Sequence, residues 1–209
     1  MSVPFRTPAD VDAAIEPVRG HLKRGGLLAY PTETVYGLGS RVHSADVARL
    51  ATLKGRRPGK PFLLIVSGRD MALRYGLAFT PAAATLADAY WPGPLTLVLA
   101  GGEGRLPDML RGPEGGIAVR WTGHRGMARL VQALDEPLTS TSANRPGGPT
   151  APGVAAIEAD FTTAVSDGTL LVLDGDVLGN VPPSTVVDCT GPLPRLVREG
   201  AIPRADLRL

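Results

Sequence analysis

Residues 27–38 read Leu27-Leu28-Ala29-Tyr30-Pro31-Thr32-Glu33-Thr34-Val35-Tyr36-Gly37-Leu38, and the architecture turns on how they divide. The first four are apolar and stand between Gly25-Gly26 and a proline, so this short run is expected to form a buried strand. The segment after it carries two threonine hydroxyls, a carboxylate and a phenol, placed where an α/β sheet commonly opens toward a ligand. A capped turn accounts for threonine and glycine there equally well.

Upstream, Thr7-Pro8-Ala9-Asp10 supplies an N-cap, a proline at the first helical position and a carboxylate in the first turn. Val11, Ala14, Ile15, Val18 and Leu22 continue at helical spacing until Gly25-Gly26 ends the helix. Downstream, a helix is expected from Ser44 to Gly55, a strand over Phe62 to Val66, and a helix from Thr80-Pro81 that ends before Pro92. Strands are predicted over Leu95 to Ala100 and Gly116 to Trp121, and a helix over His124 to Leu134. Further apolar segments lie at Thr169 to Leu173, Ser184 to Asp188 and Arg195 to Arg198. Strands and helices interleave without a strict βαβ rhythm, and adjacent strands come close enough to pair antiparallel. The fold class predicted is α/β, with an open, twisted, mixed sheet flanked by helices rather than a Rossmann or TIM arrangement.

A chain of 209 residues suits one such domain, so a single domain over 1–209 is expected. No apolar run approaches the ~20 residues that cross a bilayer, and Met1 to Thr7 lacks the apolar core of a signal peptide. Cys189 is the only cysteine, which excludes an internal disulfide and a cysteine-rich zinc site. A cytoplasmic location without membrane association is therefore expected. The net charge of +2 is too small to argue for nucleic acid by itself.

Phosphate-loop, dinucleotide, zinc-protease and nucleophile-elbow signatures are all absent. His21, His43 and His124 show no ligand spacing and read as surface residues. Four segments carry more. The first is the Pro31 to Leu38 run. The second, Lys54-Gly55-Arg56-Arg57-Pro58-Gly59-Lys60-Pro61, sets four cations in a proline-braced loop. A helix C-terminus explains Lys54, but Arg56, Arg57 and Lys60 go beyond it and suit a polyanion such as triphosphate. RNA backbone is the competing partner, although no aromatic residue is interleaved for base stacking. The third, Ser140-Thr141-Ser142-Ala143-Asn144, can bind phosphate or an amino acid through uncharged groups, or form a plain Ser/Thr turn. The fourth is Pro183-Ser184-Thr185-Val186-Val187-Asp188 with Arg195 and Arg198 behind it. Arg120 closes an apolar strand and calls for a carboxylate, from a ligand or from a structural aspartate.

Taken in order with Pro92-Gly93-Pro94-Leu95-Thr96 and Ala118-Val119-Arg120, these segments resemble the YrdC-like family over Leu27 to Gly200, nearly the whole chain. The resemblance is to its single-domain L-threonylcarbamoyladenylate synthases of the TsaC type. It implies a fold with a concave basic face and an enzyme, a nucleotidyltransferase. Such an enzyme joins L-threonine, bicarbonate and ATP, with Mg²⁺ carried by ATP and no protein-bound metal or organic cofactor. It implies threonine binding by Thr34, Arg120, Ser140 and Ser184. It implies ATP binding by Lys54, Arg56, Lys60, Gly116, Ser142, Asn144, Thr150 and Arg198, with Lys54 and Arg56 acting in catalysis. The partner implied is a transferase that modifies adenosine beside the tRNA anticodon, with weak binding of tRNA or other double-stranded RNA. Val35, Ala143 and Val186 are expected to form a niche for the threonine methyl. Alternatives within the same likeness are an RNA-binding module and a carbamoyl-adenylate-forming relative. The chain departs from the family pattern in three places. Phe62 to Ser67 holds no histidine, Trp121-Thr122-Gly123 follows Arg120, and Pro146 replaces a usual serine.

Overall fold

The computed structural model describes residues 2–56, 60–179 and 181–207. Its strands are β1 (Ser2–Pro4), β2 (Leu27–Tyr30), β3 (Gly37–Gly39), β4 (Leu63–Ile65), β5 (Leu77–Ala78) and β6 (Leu95–Gly101). These are followed by β7 (Ile117–Arg120), β8 (Leu138–Ser142), β9 (Leu170–Asp174), β10 (Thr185–Asp188) and β11 (Arg195–Arg198). The helices are α1 (Pro8–Lys23), α2 (Ser44–Lys54), α3 (Arg69–Arg74), α4 (Pro81–Tyr90), α5 (Arg125–Leu134), α6 (Val154–Asp160) and α7 (Thr162–Ser166). Ten strands form one mixed sheet in the order β1-β9-β2-β3-β8-β4-β7-β6-β10-β11, and β5 pairs with β6 beside it. The mixed α/β class is as the sequence implied.

Local chemistry sets the element boundaries. Thr7 and Asp10 form a reciprocal capping box at the start of α1. Thr80 caps α4 ahead of Pro81. Gly55 ends α2 in the left-handed conformation. Sequence periodicity did not indicate β1, β3, β5, α3, α6 or α7. β1 exists because Ser2 to Pro4 pair in parallel with Val172 to Asp174 some 170 positions away, a contact that no local pattern signals. β3 depends on the absence of side chains at its two glycines. A Cβ on Gly39 would meet Thr139 O at 2.2 Å and the Tyr30 ring at 2.8 Å, and one on Gly37 would meet that ring at 2.9 Å. Tyr30 fills the vacated space, fully buried, and its hydroxyl donates to Thr139 O at 2.9 Å.

The sheet has two chemically distinct faces because side chains alternate along each strand. Leu64, Leu95, Leu97, Leu99, Ile117, Val119 and Val187 are fully buried on one face, each contributing ~1.5–3 kcal/mol by leaving water. Their neighbours Leu63, Thr96, Ala118, Arg120 and Val186 point the other way and floor a cavity. The candidate site thus lies on a face of the sheet.

Candidate active site

The cavity encloses about 450 Å³, within the ~300–1,000 Å³ typical of small-molecule sites. Thr34, Arg56, Arg120, Ser140, Ser142, Thr150, Ser184 and Arg198, all singled out in the sequence, line it together. Among the described residues that line it, three are arginines and none is a carboxylate, so the cavity is built for anions.

The β2–β3 loop supplies the first wall, as a capped turn that also faces the cavity. Thr32 Oγ1 accepts from the Thr34 and Val35 amides at 3.2 Å each and donates to Val35 O at 2.7 Å, which is a capped turn. That turn presents Thr34 Oγ1 to both terminal nitrogens of Arg120, at 3.2 Å each. Arg120 is 4% exposed, donates from Nε to Gly93 O and pairs with Glu33 at 2.7 Å. Its structural partner is therefore a glutamate from the neighbouring loop and not an aspartate. Glu33 also accepts from Gly123 N at 2.9 Å and from Thr122 Oγ1. Burial alone would raise the Glu33 carboxyl, but the Arg120 charge and these donors outweigh it and hold the group below its usual range. The Trp121-Thr122-Gly123 departure thus acquires a use, since Thr122 and Gly123 complete the Glu33 clamp.

The opposite wall joins two segments distant in sequence. Lys54, at the C-terminus of α2, is buried, and its ammonium donates to Ser142 O at 2.7 Å, Asn144 Oδ1 at 2.7 Å and Asn144 O. Asn144 further accepts from Ser142 Oγ at 2.6 Å and donates from Nδ2 to Arg145 O and Gly148 O at 2.8 Å each. Lys54 and Asn144 therefore shape the turn that presents Ser142 without lining the cavity themselves. Burial first, and then the nearby Arg56 charge, lower the Lys54 ammonium to about 8, with Asp160 opposing. Arg56 does reach the cavity. It donates to Thr141 Oγ1 at 2.8 Å, to Lys60 O at 2.6 Å and to Pro61 O, and lies 4.3 Å over the Phe62 ring. Lys60 itself is exposed, and Arg57 lies outside the described residues.

Arg198 on β11 donates to Ser184 O at 2.7 Å, and burial followed by the Arg120 charge lowers its pKa. Gly116 sits beyond the far end of β7 from Arg120, where a Cβ would press within 2.6 Å of Val98 and 2.7 Å of Thr190. Its place is explained by packing. Ala143 is fully buried outside the lining, so the apolar part of the cavity comes from Val35, Val186, Leu63 and Ala118 instead. Of the histidines only His43 is exposed, while His21 Nε2 meets Leu27 O and His124 Nδ1 caps α5. Sequence reasoning gave no individual role to Thr96, nor to Thr141 beyond its place in the Ser140 to Asn144 segment, and both line the cavity. Thr96 had a signal, because it interrupts Leu95, Leu97 and Leu99 at the period of a strand.

The family described as Telomere recombination, the Sua5/YciO/YrdC domain, matches residues 21–200. Over 170 residues the chain is 43% identical to the threonylcarbamoyl-AMP synthase of Chromohalobacter salexigens, covering 80% of this chain and 88% of that relative. The Sua5 protein of P. abyssi, solved in complex with L-threonine, superimposes with a TM-score of 0.85 at 30% identity, covering 99% of this chain and 59% of that one. E. coli YciO gives a TM-score of 0.80 at 26% identity, with 96% of each chain covered.

Proposed function

The chain belongs to the Sua5/YciO/YrdC family, and from that premise we propose that it is a threonylcarbamoyl-AMP synthase. It is an enzyme of the transferase kind, and the finer reading is nucleotidyl transfer from ATP. The observation that carries the reading is the cavity, where three arginines and a set of neutral hydroxyls converge without a carboxylate. Such a site suits two anionic substrates held side by side, with no covalent intermediate on the protein.

In this reading Arg120 and Thr34 bind the threonine carboxylate, with Ser140 and Ser184 alongside. Arg56, Arg198, Ser142 and Thr150 receive the phosphates, and Lys54 adds positive charge from behind the Ser142 turn. Lys60, Asn144 and Gly116 act indirectly, through the loops they shape. The threonine nitrogen bonds to the carbon of bicarbonate, whose hydroxyl leaves as water with an amine proton, and one oxygen of the resulting carboxylate attacks the α-phosphorus. The bond from that phosphorus to the bridging oxygen breaks, and the electron pair leaves with pyrophosphate. The arginines offset the charge that gathers on the leaving group. Mg²⁺ arrives as part of the ATP substrate. Since no described lining residue is a carboxylate, no side chain is assigned to it. The product is handed to a transferase that modifies adenosine beside the tRNA anticodon. Among the described residues no helix is long and apolar enough to cross a membrane.

Purified protein given ATP, Mg²⁺, bicarbonate and threonine is expected to release pyrophosphate. Omitting threonine or bicarbonate should abolish the signal. Release indifferent to threonine would remove the assignment.

Lys54 adds a pH dependence. Its ammonium has a pKa of about 8 before ATP binds, and incoming phosphate must raise that value. ATP affinity is therefore expected to be flat below pH 8 and to fall by up to ~tenfold per unit above it. Titration of ATP binding between pH 7 and 9.5 checks this, and Lys54→Arg, which cannot discharge in that range, should flatten the profile.

A further inference from the structure

Four cavity-lining residues fall on one line across the sheet. Val186 is in register with Arg198 on β11 and with Thr96 on β6. The antiparallel β6–β7 ladder sets Leu97 against Val119, and one step on it brings Thr96 opposite Arg120. The row Arg120, Thr96, Val186, Arg198 therefore crosses four strands with every side chain on the cavity face. A guanidinium stands at each end. Arg120 has Glu33 to balance it, whereas Arg198 meets no carboxylate among the described residues.

Between them, Thr96 Oγ1 and Ser184 Oγ lie 2.8 Å apart, with the two residues only 1% and 3% exposed. Two hydroxyls carry two protons, and their mutual bond uses one. Arg198 is itself a donor, 3.5 Å from Ser184 Oγ, so it cannot take the second. That proton finds no acceptor among the described residues, although it is buried at the cavity floor. A spare donor between two cations is matched by a small anion.

We propose that the Thr96–Ser184 hydroxyl pair holds the one-carbon anion of the reaction, first as bicarbonate and then as the carboxylate left on the threonine nitrogen. The proposal rests on the synthase reading above and deepens it. With the amino-acid carboxylate on Arg120 and phosphate reached by Arg198, the reacting carbon sits between them, which is where the pair lies. The neutral amine nitrogen forms a bond to the bicarbonate carbon. The carbon–hydroxyl bond breaks, and the departing hydroxide takes one amine proton and leaves as water. The spare hydroxyl proton and the two guanidiniums stabilise the negative oxygens throughout.

Thr96→Val keeps the shape and removes the hydroxyl. Pyrophosphate release is measured with bicarbonate varied at saturating ATP and threonine. The KM for bicarbonate is expected to rise roughly tenfold or more, the loss typical of a hydrogen bond to a charged group. The KM for threonine and the Kd for ATP should stay within about threefold, and Thr96→Ser should restore the bicarbonate value. Ser184→Ala leaves the Thr96 side chain in place and should raise the bicarbonate KM by a similar factor, with a rise in the threonine KM as well because Ser184 stands beside the amino acid, and with the Kd for ATP unmoved, which covers the case of a misfolded valine variant. An unchanged bicarbonate KM in both variants overturns the proposal. So does an equal rise in all three constants with a lowered Tm. If the unaltered protein forms no adenylate that depends on threonine and bicarbonate, the synthase reading falls first and takes this assignment with it.

Discussion

Arg120→Ala is expected to lower kcat/KM for threonine by at least two orders of magnitude and to destabilise the fold. Arg120 is nearly sealed from solvent and bridges Gly93, Thr34 and Glu33. Removing one partner of a buried ion pair typically costs ~3–5 kcal/mol, because the other charge is left behind uncompensated. Here the stranded group is Glu33, which has donors from Thr122 and Gly123 but would lose its countercharge. Thermal melting and threonine titration at saturating ATP measure the two consequences separately. Adding Glu33→Gln to Arg120→Ala should recover part of the stability and none of the threonine binding. Intact threonine affinity alongside collapsed ATP binding would reverse the roles given to the arginines. The pair also fixes an acid limit. Because the Glu33 carboxyl titrates below its ordinary value of 4.5, its contribution is fully present above that value and is lost as the pH falls through the lower folded one.

Arg56→Ala should act on the other substrate. Its guanidinium ties Lys60 O and Pro61 O to Thr141 while resting on Phe62, so one side chain both closes the basic loop and faces the cavity. Loss of a charged hydrogen-bonding group at ~1.5–3 kcal/mol predicts a Kd for ATP raised roughly 10–150-fold. The KM for threonine should change only slightly. Arg56→Lys should rescue little, because an ammonium cannot reproduce the planar fork that meets three acceptors at once. Calorimetric titration with ATP decides it, and an unaltered ATP affinity would place the phosphates elsewhere.

How far the sequence disclosed the site can be judged residue by residue. Thr34, Ser140, Ser184 and Arg198 are far apart in the chain yet line one cavity, and each stands on or beside a short apolar run that was legible as a strand. The capping signals of α1 and α4 were equally plain. The register was not. Nothing in Pro31 to Leu38 tells that Glu33 will turn to Arg120, or that Gly37 and Gly39 pair as a strand, since both follow from contacts with distant segments. Lys54 shows the same limit. A lysine closing a helix has a sufficient local explanation, and its three acceptors lie about 90 positions downstream.

That last contact makes the two halves of the proposed phosphate side a single mutational unit. With Lys54 holding Ser142 O and both oxygens of Asn144, substitutions at 54 and 144 should not add. Their coupling in a double-mutant cycle should fall within the ~0.5–3 kcal/mol seen for residues that share a network. Drift at either position then depends on the residue at the other, and a library that randomises the Lys54–Lys60 segment alone will sample mostly sterile combinations. Retuning this protein for a different nucleotide would require both segments to be varied in the same clone.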